Sequence, residues 1–307
     1  MTDKRFYIVG GKGGVGRSTV AAALGMALSK QGKRTLVLEL DSEQTIPRFF
    51  GREGKGYEPT EVWDHLFVAN LTPKEAQEEY GLMKLKSRAA YRLVFENPVM
   101  GKMLNMVPGL RELLLLGKAW FTEQSVDEDG EPIWDAIVMD APATGHAISL
   151  FRLPRVILAL MKVGPMASDA QEILHLLTDA NRCSFWIVTL PEELPANECM
   201  ELSRVNEEEL HLPLDHVVVN QCWDHLVPGS LREKERTRSN SSEIKGLEET
   251  VKYMESRVTE QKKHTEKLEA EYGSRCVRLP FLPEQPLGAE ELQALAEKLA
   301  EKLSLLN

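Results

Sequence analysis

The stretch 10-GGKGGVGRST-19 decides the reading of this chain. It follows the short apolar run 6-FYIV-9 and leads into 18-STVAAALGMALSKQG-32, which is rich in alanine and leucine and ends on a glycine. Strand, glycine loop and helix in this order open a doubly wound α/β fold. Gly11, Lys12, Gly13, Gly14, Val15, Gly16, Arg17 and Ser18 match the phosphate-loop pattern G-x-x-x-x-G-K-[ST] at every fixed position except the lysine, which is Arg17 here. Glycines let successive backbone N–H groups wrap a phosphate. The helix that begins near Arg17 aims its positive end at the same anion. Ser18, followed by Thr19, sets a hydroxyl where Mg²⁺ takes an oxygen ligand. Arginine can hold phosphate, but its fork is planar and wide and does not simply replace a lysine. Lys12 is a second cation, at a position the pattern leaves open.

Further short apolar runs end in small or acidic residues: 34-RTLVLELD-41, 65-HLFVANL-71, 135-DAIVMD-140, 185-FWIVTL-190, 216-HVVVN-220 and 276-CVRLP-280. Being β-branched and apolar on both faces, with helical stretches between, they read as buried parallel strands. The expected fold class is α/β, a doubly wound, mostly parallel sheet of the P-loop NTPase kind with an inserted helical subdomain. Residues 1–307 read as a single nucleotide-binding domain, with the helical subdomain at about 72–130 and 151–180 and a long amphipathic helical segment at about 243–272. In that segment Ile244, Leu247, Val251, Met254 and Val258 recur at helical spacing, and Gln261, Thr265, Leu268 and Tyr272 continue it with weaker apolarity. Either an arm that reaches a partner or a helix packed on its own sheet fits this pattern. The helical regions carry Met83, Met100, Met103, Met106, Met161 and Met166, which suit an adaptable groove or plain core filling. Residues 231–242 are polar and read as a loop, and 290–307 as a core-packing last helix rather than a membrane foot.

Composition removes several function classes. The net charge is −10, from 37 basic and 47 acidic residues, which argues against nucleic-acid binding through bulk charge. No run of about 18 apolar residues exists, as a membrane span needs, and the start shows no secretory leader. The four cysteines (Cys183, Cys199, Cys222 and Cys276) form no CxxC pair, so neither a zinc clasp nor an iron–sulfur site is visible. Reduced thiols and a cytoplasmic location are the expectation.

Two motifs narrow the family. The pattern KGGVGxST resembles the deviant Walker A loop of the SIMIBI-type ATPases, which include the nitrogenase iron protein, the Min and Par partition ATPases and the arsenical-pump group. The stretch 140-DAPATGHAISLFRLP-154 resembles the switch II motif of the arsenical-pump (ArsA) and tail-anchored-protein targeting (Get) ATPases, with Asp140, Thr144, Gly145, His146, Leu150, Leu153 and Pro154 matching. The resemblance implies ATP and Mg²⁺ as cofactors and a homodimer, or a heterodimer with a related ATPase. It implies that Lys12 acts in trans on the partner's nucleotide, much as an arginine finger does, worth roughly 10³–10⁵-fold in rate. By the same resemblance Asp41 falls in switch I and orients the attacking water, Ser18 and Asp140 hold Mg²⁺, and Gly145 with His146 forms the nucleotide-sensing bend. Pro108, Gly109 and Glu112 resemble the segment before the family's helical subdomain. Asn220 and Gln221 look like the family's Asn-Gln pair, whose asparagine amide can read the adenine edge. The stretch 280-PFLPEQPLG-288, with Pro280 and Phe281, looks like the adenine-side loop.

Departures from the pattern shape the functional reading. Arg17 stands for lysine, Ser42 and Glu43 replace the proline and alanine of switch I, and the arsenite-binding cysteines have no counterparts. Asn220 follows Asp140 by 80 residues, short for the methionine-rich insert of the tail-anchored-protein carriers. The leading expectation is a dimeric Mg-ATPase coupling nucleotide state to a partner or hydrophobic client. One alternative is a weakly hydrolysing regulatory subunit paired with a competent relative. The other is a Min/Par-like membrane-positioning ATPase, against which the switch II motif speaks.

Overall fold

A computed structural model describes residues 4–85, 87–88, 109–223, 242–283 and 286–303. The expectations on Met100, Met103, Met106, Pro108, Leu306 and the stretch 231–241 lie outside these residues, as do those on the side chains of Ile244, Leu247 and Val251.

The strands are β1 (Phe6–Gly11), β2 (Thr35–Leu40), β3 (Thr60–Trp63), β4 (Leu66–Leu71), β5 (Ala136–Asp140), β6 (Cys183–Thr189), β7 (Leu214–Cys222) and β8 (Cys276–Pro280). They form one sheet in the order β3-β4-β2-β5-β1-β6-β7-β8, parallel throughout except for β3 at the edge. The doubly wound α/β class expected from the apolar runs is the fold observed. β1 lies between β5 and β6, where the strand order reverses, so its carboxyl end opens at the switch point at which such sheets bind ligands.

The helices are α1 (Arg17–Ser29), α2 (Thr45–Phe49), α3 (Pro73–Leu85), α4 (Leu110–Gln124), α5 (Thr144–Leu160), α6 (Pro165–Thr178), α7 (Glu193–Val205), α8 (Ser242–Tyr272) and α9 (Ala289–Leu303). One face of the sheet packs against α1, α2 and α9. The other packs against α3 to α7 and the end of α8. Every strand but the two at the edges, β3 and β8, is buried on both faces, which is why most of the runs read as continuous rather than alternating.

Two helices bear on alternatives left open by pattern. In α8 the weaker half of the stripe, Gln261, Thr265, Leu268 and Tyr272, is the buried half, and Leu268 and Tyr272 join the domain's own core. In α9, Leu292, Leu295, Leu299 and Leu303 are buried against the α1 side of the sheet, so this helix packs the core as expected and its apolar face is not available to a bilayer. Among the described residues no helix is long and apolar enough to cross a membrane.

Candidate nucleotide site

The phosphate loop is built by left-handed glycines. Gly14 and Gly16 have φ of 83° and 88°, a region that residues with a Cβ rarely enter. Gly16 stands just before α1, and a Cβ there would lie 2.3 Å from Nδ2 of Asn220. That closeness is used: Asn220 Nδ2 donates to the Val15 carbonyl at 2.9 Å, bracing the loop from β7. Asn220 is buried, so one amide N–H serves the loop itself.

Beneath the loop, Ser18 Oγ donates to Oδ2 of Asp140 at 2.6 Å. The other oxygen, Oδ1, is buried without a hydrogen-bond partner. Burial pushes the Asp140 carboxyl up to about 6, against the Ser18 hydrogen bond and the Arg17 charge and with the help of nearby Glu39. A serine hydroxyl beside a buried, half-satisfied carboxylate is a hard-oxygen set that suits Mg²⁺. Arg17 does not extend into open space. Its guanidinium donates to the carbonyl of Ala141, the residue after Asp140, and burial lowers its pKa while the Asp140 charge raises it.

The loop after β2, which holds Asp41, is organised by Glu39, a residue the motifs passed over. Glu39 is almost fully buried near the end of β2, and its Oε1 accepts from Ser42 Oγ at 2.9 Å and from the N–H groups of Thr45 at 2.9 Å and Ile46 at 3.3 Å. Burial raises its pKa, offset by those hydrogen bonds. Ser42, standing where the family pattern has proline, also exchanges two hydrogen bonds with Asn70, at 3.0 and 2.9 Å. Asp41 sits exposed between these anchors in the left-handed region, at φ 48°, its N–H bound to the Leu71 carbonyl at 2.8 Å.

Residues 4–168, more than half of the chain, match the family described as Anion-transporting ATPase. The chain belongs to this family. The chain of this ATPase is 30% identical over 238 residues to the ATPase BagA of Mycobacterium tuberculosis, covering 75% of this chain and 69% of that one. It is 25% identical to a putative arsenical pump-driving ATPase of Halobacterium salinarum, over 95% of this chain and 44% of that one. It is 23% identical to the ATPase GET3 of Podospora anserina, over 96% of this chain and 90% of that one.

In this family member the remaining candidate residues gather in two clefts. Thr19, Asn220, Gln221, Pro280 and Phe281 line one of them, with Leu282, Leu287 and Leu295. Its rim is fastened by the Phe281 N–H on the Cys222 carbonyl at 2.9 Å, and Phe281 packs on Trp223 with ring centroids 5.1 Å apart. Lys12, Gly13, Thr144 and Gly145 line the second cleft with Glu198 and Glu201 of α7. Gly145 and His146 lie exposed in the first turn of α5, whose N-cap, Ala143, supplies no side-chain hydrogen bond. Glu198 carried no local signal, because its place beside Lys12 arises only from the packing of α7.

A third feature lies away from the loop. An open groove runs between α3, α4 and α6, and Met83, Trp120, Phe121, Leu114 and Met166 line it. Two of the methionines singled out from sequence therefore face a groove. Gly109, with φ 80°, starts α4, and a Cβ there would lie 2.2 Å from Cδ2 of Leu153 in α5, so two motif residues that are distant in sequence meet at the helical side of the molecule.

Proposed function

We propose that this family member is a cytoplasmic, Mg²⁺-dependent ATPase working as a dimer and coupling its nucleotide state to a hydrophobic protein client. The observation that carries the reading is the constellation under the phosphate loop: Ser18 against Asp140, with Asp140 Oδ1 buried and unpartnered beside it. Ser18 and Asp140 would hold Mg²⁺, which when bound offsets charge on the terminal phosphates during transfer. The N–H groups of residues 11–19 bind the phosphates at the positive end of α1, with Arg17 as a further cation. Asp41 orients the attacking water and accepts its proton. Thr19, Asn220, Gln221, Pro280 and Phe281 hold the nucleobase in the cleft they line. Lys12 crosses to the partner's nucleotide, and Thr144, Gly145 and His146 carry the nucleotide state into α5. The whole chain acts as one ATPase domain, and α3, α4, α5 and α6 form its client side, with the apolar groove as the client's seat.

A phosphate-release assay of the purified chain beside Asp41→Asn and Lys12→Ala tests this. Loss of turnover in both variants is expected, and equal rates in all three would sink the assignment. Asp41→Asn loaded with Mg-ATP should retain the client in a pull-down that Phe121→Asp does not.

One observation favours a second reading. Arg17 is engaged with the Ala141 carbonyl, which suits a chain that binds ATP but turns it over slowly beside a competent related ATPase. Calorimetry showing ATP binding, together with no phosphate release until a second ATPase is added, would select it.

A further inference from the structure

We propose that Glu198 is a positioning residue that holds Lys12 within its own subunit until a nucleotide-loaded second copy competes for it, making their ion pair a latch on dimer closure. This rests on the reading of Lys12 as the cation that acts across a dimer interface.

Lys12 belongs to the loop after β1 and Glu198 to the middle of α7, 186 residues further along. Their charged ends stand 2.8 Å apart, and each side chain is 33% exposed. The pair lies in the open cleft where the start of α5 meets α7, beside Thr144 and Gly145. Both ends can therefore be reached by water and by another molecule. A pair of this kind holds one geometry but exchanges readily, unlike a buried pair whose rupture strands a charge.

The loop leaves the lysine room to move. A Cβ at Gly14 would meet nothing within 4 Å, and one at Gly13 would meet only the Ala143 Cβ, at 3.9 Å. A polyphosphate offers the ammonium several anionic oxygens where Glu198 offers one carboxylate, so a loaded partner is the stronger attractor. When Lys12 leaves, Glu198 and Glu201 remain as neighbouring carboxylates on the same cleft wall. Their mutual repulsion favours recapture of Lys12 once the partner's nucleotide is spent, which resets the latch. The pair thus couples dimer opening and closing to nucleotide state through the placement of one cation.

The test compares the full chain, Glu198→Gln, Glu198→Asp, Glu198→Ala and Lys12→Ala, each with Mg-ATP. Sedimentation gives self-association, and turnover is followed across protein concentration. Glu198→Gln and Glu198→Ala are expected to associate at about 1.5- to 5-fold lower protein concentration, the span that a part-exposed ion pair carries. Turnover at low protein concentration should rise by the same factor, and Glu198→Asp should return toward the parent. A purely structural tie between loop and helix would instead lower the melting temperature and leave the concentration dependence unmoved. The latch is overturned if either charge-removing variant folds like the parent yet keeps its concentration dependence, or loses turnover at every concentration. Lys12→Ala with parental turnover and association overturns the trans-lysine reading itself. Lys12→Ala inactive beside unchanged Glu198 variants overturns the latch alone.

Discussion

Glu39 and Asp140 are register partners on the adjacent strands β2 and β5, so two buried carboxyl groups stand side by side beneath the phosphate loop. Each keeps one oxygen without a hydrogen bond, Oε2 of Glu39 and Oδ1 of Asp140. Burying carboxyl oxygens without partners costs free energy, which a bound cation would offset. Burial is the largest cause of the raised Asp140 pKa, about 6, and the Glu39 charge adds to it.

That shift makes a signed prediction. A carboxyl whose pKa is raised by folding binds its proton more tightly in the folded chain than in the unfolded one, where aspartate titrates at about 3.9. The stabilisation it supplies is fully present below about pH 4 and is lost as the pH rises through the window from about 4 to about 6. A shift of about two units corresponds to roughly 2–3 kcal/mol. Asp140→Asn removes this titration. In metal-free urea unfolding, the variant should gain on the parent by roughly that amount between about pH 4.5 and about pH 7.5. A difference that stays constant across this range would contradict the environment described for Asp140.

The brace between β7 and the phosphate loop predicts two losses of different kinds. Gly16→Ala forces a Cβ into the left-handed region and to within 2.3 Å of Asn220 Nδ2. The expected cost is about 2 kcal/mol or more, with nucleotide affinity down by more than about tenfold because the loop's N–H groups lose their aim. Asn220→Ala leaves the backbone conformation allowed but strands the Val15 carbonyl, for roughly 1–3 kcal/mol. Chemical denaturation gives the stabilities and calorimetry the affinities. Gly16→Ala with parental affinity would mean that the loop is not held as described.

Gly109 and Leu153 predict a coupling. Gly109→Ala introduces a strained φ and a Cβ that meets Cδ2 of Leu153. The expected destabilisation is about 1–3 kcal/mol. Adding Leu153→Ala removes the steric part and leaves the backbone part, so the two changes should fall short of additivity by at least about 0.5 kcal/mol. A double-mutant cycle in urea measures this, and strict additivity would show that α4 and α5 do not meet there.

How much of this was legible follows from how local each signal is. The phosphate loop and the switch II stretch are contiguous, and their spacing carries their chemistry. Seven apolar runs read as strands are strands, six of them because burial on both faces leaves an unbroken apolar record, while edge strand β8 buries only Val277 and Leu279 fully. The eighth, 60-TEVW-63, alternates buried and exposed at the sheet edge and is too short to stand out. Glu39 was hidden because an acid near a strand end reads as an ordinary boundary residue, and only the fold of the following loop turns it into an acceptor for Ser42, Thr45 and Ile46. Glu198 was hidden more deeply, since nothing near it in the chain distinguishes it from the other glutamates of α7. For α8 the spacing gave the helix but not its buried half, because apolarity marks Met254 and Val258 while packing chose Gln261 and Thr265.

Arg17 yields the last prediction. Its guanidinium is turned to the Ala141 carbonyl and lies near the Asp140 charge, so it ties the start of α1 to the residue that follows Asp140. Phosphate binding must compete with that tie. Arg17→Lys keeps a cation of similar reach but gives up the planar fork, and a lysine serves a phosphate well as a point charge. ATP affinity in Arg17→Lys should therefore stay within about fivefold of the parent, because one charge-assisted contact is exchanged for another. Arg17→Ala removes the cation altogether and should weaken ATP by about 10- to 100-fold, the worth of one or two charge-assisted hydrogen bonds. Turnover separates the two roles further. If the tie to Ala141 restrains switch II, Arg17→Lys should turn over ATP faster than the parent at saturating nucleotide, since the restraint goes while the phosphate contact remains. Calorimetry and phosphate release on the same preparations measure both quantities. A slower Arg17→Lys with unchanged affinity would instead make the arginine fork itself the group that the reaction needs.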